Sequence, residues 1–255
     1  MNEQITESYN KLGINISDYI KKEFKRYKEI EDKTVKKCIE FFLLEFVLSM
    51  RFFQVYDKQS FDYYKKTIVT NSNINFWGEY FEIITHFRFL EKAKKIGLNL
   101  RRGNISNNES DLVIFNENES FQIELTTLKY NDSSIKTNSD KKIIKRIKEK
   151  NEKPYANENC ALIINVSNLY FLNKIGITNL NNSFLEILEK LKSEIKYNRI
   201  LLIRRYFIET GNNLHYDFKA SEYKYFDNND LMNKFFQKND NNYSSENATI
   251  FFRDY

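Results

Sequence analysis

The sequence predicts an α/β protein: a mixed β-sheet flanked by helices, preceded by a helical N-terminal region. Three observations carry this expectation. Residues 1 to about 70 place apolar residues at helical spacing. A pair of short strands with a polar turn, "ESDLVIFNENESFQIELTTL", follows one long amphipathic helix. Beyond it, two apolar runs alternate with helical stretches, the pattern of parallel strands joined by crossover helices.

Taken in order, "SDYIKKEFKRYKEI" and "TVKKCIEFFLLEFVLSMRFFQVY" read as helices, the second rich enough in Phe and Leu to be buried. "FWGEYFEIITHFRFLEKAKKIG" is strongly amphipathic. Phe81, Ile84, Phe87 and Leu90 recur at three-residue steps, and Gly97 suits the left-handed position that stops a helix. "LNLRRG", "SDLVIF" and "SFQIELTTL" are three strands with turn residues between them, and "SDKKIIKRIKEKNEKPY" is a helix ending near Pro154. "CALIINVS" has the unbroken apolar character of a strand covered on both faces. A helix in "NNSFLEILEKLKSEIKYN" and a strand in "RILLIRRYFIE" follow, and "LHYDFKASEYKYF" and "ATIFFRDY" read as added strands. The expected organisation is a helical region over 1–70, a core over 71–210, and a C-terminal β/α extension of the same domain over 211–255.

Composition narrows the functional class. Hydrophobic residues make up 41% and charged residues 29% of the 255, a globular balance. Six Gly and one Pro leave the turns to Asn, Asp and Ser. Forty basic against 35 acidic residues give +5, which is compatible with a polyanionic partner. Cys38 and Cys160 lie in apolar runs without a pairing pattern, as expected of buried thiols in a reducing cytoplasm. The most apolar stretch, "CIEFFLLEFVLSMRFF", is cut by Glu40, Glu45 and Arg51, so a soluble chain with no membrane partner is expected.

Chemistry concentrates in the hairpin. Asp111 opens its first strand and shares a face with Val113 and Phe115, while Glu124 lies inside the second with Gln122 and Thr126. Suitable register brings the two acids together, where they repel unless a proton or cation intervenes. Hard oxygen ligands with open positions suit Mg²⁺ or Mn²⁺. On the preceding helix Glu82 and Glu79 are three residues apart, Glu82 being better placed to point at the sheet. His86 reads as a core-satisfied or polar-face residue, and no nucleotide loop or nucleophile elbow occurs.

A helix carrying "YFE", a Gly-terminated turn, "SDLVIF" and "FQIELT" together resemble the PD-(D/E)XK nuclease superfamily, over residues about 76 to 167. The resemblance implies a restriction-endonuclease-like α-β-β-β-α-β core. It implies that Asp111 and Glu124 hold Mg²⁺ or Mn²⁺, that Leu125 offers its backbone carbonyl to the metal, and that Glu82 or Glu79 assists. It further implies a metal-dependent endonuclease acting on nucleic acid, DNA in the first place, with a role in restriction or phage defence and a homodimeric state. One departure stands out: Thr126 occupies the position of the family's lysine. Lys150, next on the apolar stripe of Ile143, Ile144 and Ile147, is the first substitute to orient or deprotonate the water; Lys153 and Lys129 follow. The alternative is a catalytically inactive member of the fold that binds nucleic acid or protein.

Overall fold

The computed structural model describes residues 2–13, 18–70, 76–128, 139–167, 186, 188–210, 213–237 and 249–251. They divide into two units. The first comprises Met1–Phe89, Phe207–His215 and Thr249–Tyr255, and the second Leu90–Tyr206 and Tyr216–Ala248.

The first unit is built from α1 (Asn2–Lys11), α2 (Asp18–Glu29), α3 (Lys33–Tyr56), α4 (Lys58–Thr70) and most of α5 (Phe76–Lys95). Phe42, Phe46, Met50 and Phe53 of α3 recur at helical spacing and are buried with Ile5, Tyr9, Tyr64 and Tyr80. Their rings meet in tilted and edge-on pairs, Phe42 to Tyr80 at 4.7 Å and Phe53 to Tyr64 at 5.4 Å. The buried Glu45 accepts from the Tyr80 hydroxyl at 2.5 Å and from Arg88 Nη2 at 2.7 Å. No helix among the described residues is long and apolar enough to cross a membrane.

α5 ends as its sequence requires. Gly97 has φ 73°, Leu98 N–H donates to the Ala93 carbonyl at 2.8 Å and Gly97 N–H to that of Lys94 at 3.2 Å. This is the paired bonding of a Schellman stop, and only glycine adopts its backbone without strain. β1 (Asn99–Arg102) follows at once.

β2 (Leu112–Phe115), β3 (Ser120–Thr127), α6 (Ser139–Asn151), β4 (Cys160–Asn165), β5 (Arg199–Thr210), β6 (Asn213–Lys224), α7 (Asp230–Phe236) and β7 (Thr249–Phe251) complete the described elements. The sheet is mixed, with strand order β1-β2-β3-β4-β5-β6 and β7 paired to the outer end of β5. β1-β2-β3 is antiparallel, whereas β3-β4-β5 is parallel, as the crossover through α6 requires. The β2–β3 turn is made by Asn116, whose side-chain oxygen accepts the Asn118 and Glu119 amides at 2.8 Å.

α6 covers one face of the sheet. Its buried Ile143 and Ile147 pack with Cys160, Leu162 and Ile164 of β4 and with Leu128. Burial of each isoleucine contributes about 2 kcal/mol. Phe121 of β3 packs against Phe235 and Phe236 of α7 at 5.6 and 6.0 Å. α7 is capped by Asn229, whose side chain accepts the Met232 amide. In the stretch read from sequence as one helix over 181–198, the described part is helical at Leu188–Lys190 and turns 3₁₀ at Lys192–Glu194.

Candidate functional site

Register decides which side chains of the hairpin meet. Leu112 pairs with Ile123 and Val113 with Gln122, so one step further Asp111 stands opposite Glu124. Opposed residues share a face. That face is the one under α6, because Gln122, Glu124 and Thr126 pair across β4 with Cys160, Leu162 and Ile164.

Asp111 is held by its backbone and by its side chain. Gly103 N–H donates to its carbonyl at 2.9 Å, extending the β1–β2 ladder by one step. Its Oδ2 accepts the Leu125 amide at 2.7 Å. The loop leading to it leaves no room: a Cβ on Gly103 would stand 1.6 Å from the Ser110 carbonyl oxygen. Glu109, forked on Arg101 at 2.7 and 2.6 Å and accepting the Asn104 amide at 2.8 Å, closes that loop. Gln122 fixes its far end by accepting the Ser110 amide at 2.7 Å.

Leu125 presents its backbone to the same place. Gln122 and Leu128 donate their amides to Asn159 and Asn165, so even-numbered residues of β3 bond towards β4. By alternation, the N–H and C=O of Leu125 point towards β2. The N–H is on Asp111, and the carbonyl lies on the same side.

Glu124 is 2% exposed. A buried carboxylate requires compensation. Here the compensation is Lys150, whose Nζ donates to Glu124 Oε1. Lys150 lies seven residues after Ile143 and three after Ile147, on the helix face that meets the sheet. Tyr197, fully buried, donates its hydroxyl to the Lys150 carbonyl at 2.8 Å. Burial, reinforced by the negative charge of Glu124, pushes the Tyr155 phenol well above its ordinary range. Burial does the same to Tyr197 and to the Cys160 thiol, so all three present protons at neutral pH.

Of the residues singled out in the sequence, the structure therefore brings Asp111, Glu124, Leu125 and Lys150 together. Thr126 shares the Glu124 face, half-buried, and supplies no charge. Lys153 is exposed, and its amide bonds the Lys150 carbonyl at 3.1 Å. Lys129 lies outside the described residues. Glu82 and Glu79 are half-buried on the part of α5 that belongs to the first unit; the site described here is drawn from the second unit alone. His86 is a core residue, its Nδ1 2.9 Å from the Tyr64 hydroxyl.

A scan against protein-family models finds no match, nor does a search of curated proteins or of solved structures. The chemistry has to be argued from the side chains. Two carboxylates and one ammonium meet beside a backbone carbonyl. Among the described residues no group of three or more His, Cys, Asp or Glu side chains gathers as a metal cage. The oxygens of Asp111, Glu124 and Leu125 fit a different type of site, in which a hard cation takes one or two carboxylates and completes its shell with water and phosphate.

Sequence reasoning missed Tyr155 and Tyr197. Tyr155 follows Pro154 in an aperiodic turn, and Tyr197 is 47 residues from the carbonyl it bonds, so neither carries a local signal.

Proposed function

We propose that the second unit is a metal-dependent phosphodiester hydrolase acting on nucleic acid, DNA in the first place. The observation that supports it most is the Lys150–Glu124 ion pair set directly across from Asp111. Supporting it is the order α5-β1-β2-β3-α6-β4, the same α-β-β-β-α-β sequence of elements as the PD-(D/E)XK core it resembles. Asp111, Glu124 and the Leu125 carbonyl would hold Mg²⁺ or Mn²⁺. When bound, the metal supplies charge stabilisation to the phosphoryl group in transfer. Lys150 orients the attacking water, taking the place of the cation that Thr126 cannot provide. α6 carries six Lys and Arg against two acids, a charge balance suited to a phosphate backbone. Action against foreign DNA in the cytoplasm and a two-fold dimer accompany this reading by resemblance.

A second reading is a binding module of the same fold without catalysis. Thr126 favours it, and so does the engagement of Glu124 by Lys150. Incubating the full-length protein with plasmid, single-stranded DNA and RNA, each with Mg²⁺, Mn²⁺ or EDTA, separates the two. Cleavage that needs the metal and disappears in Asp111→Ala and Glu124→Ala is the expected result. Binding without cleavage selects the second reading, and cleavage that persists in both variants refutes the assignment.

A further inference from the structure

Lys150 comes from an unpromising position. It is the penultimate residue of α6, where helix ends fray and the last carbonyls lack partners within the helix. Its four-carbon stem must also give up rotamer freedom to reach Glu124. A lysine on β3 itself would need no such ordering.

The structure supplies the ordering from elsewhere. The end of α6 is tied to the run that leads into β5: Asn151 Oδ1 accepts the Lys196 amide at 2.8 Å, Asn151 Nδ2 donates to the Glu194 carbonyl, and Tyr197 donates to the Lys150 carbonyl at 2.8 Å. Tyr197 is fully buried and stands two residues before Arg199, the first residue of β5.

We infer that Tyr197 and Asn151 are positioning residues that clamp the Lys150–Glu124 pair through the end of α6, Tyr197 through the Lys150 carbonyl and Asn151 through the run leading into β5. The clamp carries a cation from a helix end to the place a strand residue would fill. Its bearing on turnover rests on the hydrolase reading above; its bearing on the geometry of Lys150 does not.

The test uses, in the full-length chain, Tyr197→Phe, which removes one oxygen and keeps the ring, and Asn151→Ala, which removes the second tie at the end of α6. The Lys150 ammonium is followed by its ¹H–¹⁵N correlation, assigned by its disappearance in Lys150→Arg, and kcat and KM are measured on plasmid with Mg²⁺. Thermal midpoints within about 5 °C of the parent protein are expected. The ammonium correlation should broaden or shift in both variants, and kcat should fall about tenfold with KM within about twofold. An unaltered ammonium correlation in the two variants overturns the clamp, as does an unaltered kcat in an active protein. Absence of cleavage by the parent protein counts against the hydrolase reading instead, and the ammonium correlation still decides the clamp. Should Tyr197→Phe fail to fold, the half-buried Asn151→Ala decides it alone.

Discussion

Each unit of the protein buries a glutamate against a cation, yet in only one of the two does a neighbouring strand place a second carboxylate opposite it. In the first unit Glu45 accepts from Tyr80 and from both Nε and Nη2 of Arg88. The helix neighbours of Glu45 on its own face, Phe41, Phe42, Leu48 and Ser49, bring no second acid. One carboxylate there meets one guanidinium. In the second unit Glu124 meets a point charge, Lys150, and Asp111 stands across the ladder from it. A buried ion pair therefore says little by itself; the second carboxylate opposite it carries the functional argument.

The comparison can be broken most forcefully by removing the cations. Lys150→Met leaves Glu124 buried without its ammonium and should destabilise the chain by about 3 kcal/mol. Arg88→Met should cost only about 1 kcal/mol, because the Arg88 side chain is 44% exposed and water can replace it. Urea unfolding of the two variants measures the difference, and equal losses would erase the distinction between the two glutamates.

Gly103→Ala sharpens the second half of the comparison. Its Cβ has nowhere to go but into the Ser110 carbonyl, which is backbone and cannot swing aside. A loss of about 2 kcal/mol is expected, with displacement of Asp111. Urea unfolding reads the loss, and a crystal structure or the Leu125 amide chemical shift reads the displacement.

The smallest effect has the opposite sign. Tyr9, packed near Phe24 and Phe46 at 6.0 and 6.2 Å, is buried, and its hydroxyl has no partner among the described residues. Tyr9→Phe should stabilise the protein by about 1 kcal/mol at neutral pH. Burial also pushes this phenol well above its ordinary range. A raised folded pKa contributes stability that is present below the unfolded value, about 10, and is lost as pH rises beyond it. Thermal unfolding from pH 8 to 11 should therefore fall more steeply in the parent protein than in Tyr9→Phe.

Much of the site was legible in the sequence because its parts obey local periods. Alternation in "FQIELT" places Glu124 on one face, the polar turn of Asn116 sets the hairpin, and the α6 stripe of Ile143 and Ile147 points onward to Lys150. Gly97 marks the helix stop for a steric reason that any sequence shows. What stayed hidden is tertiary. The bond from Tyr197 to Lys150 and that from Arg88 to Glu45 join residues more than 40 positions apart, and no period reports such pairs. The run over 181–198 misleads for a related reason. Leu188, Leu191 and Ile195 are buried at helical spacing, but the described chain leaves the helix after Lys190 and delivers Tyr197 to the end of α6. α7 is too short for its period to register, although Asn229 and Asp230 announce its cap.

On the proposed reading, Lys150 on α6 stands in for the cation that β3 lacks at Thr126. The most direct test compares DNA cleavage with Mg²⁺ by the parent protein, Lys150→Met, and Lys150→Met combined with Thr126→Lys. A loss of about a hundredfold in the single variant, with recovery of a measurable part in the double variant, is the expected result. Undiminished cleavage by Lys150→Met would contradict it.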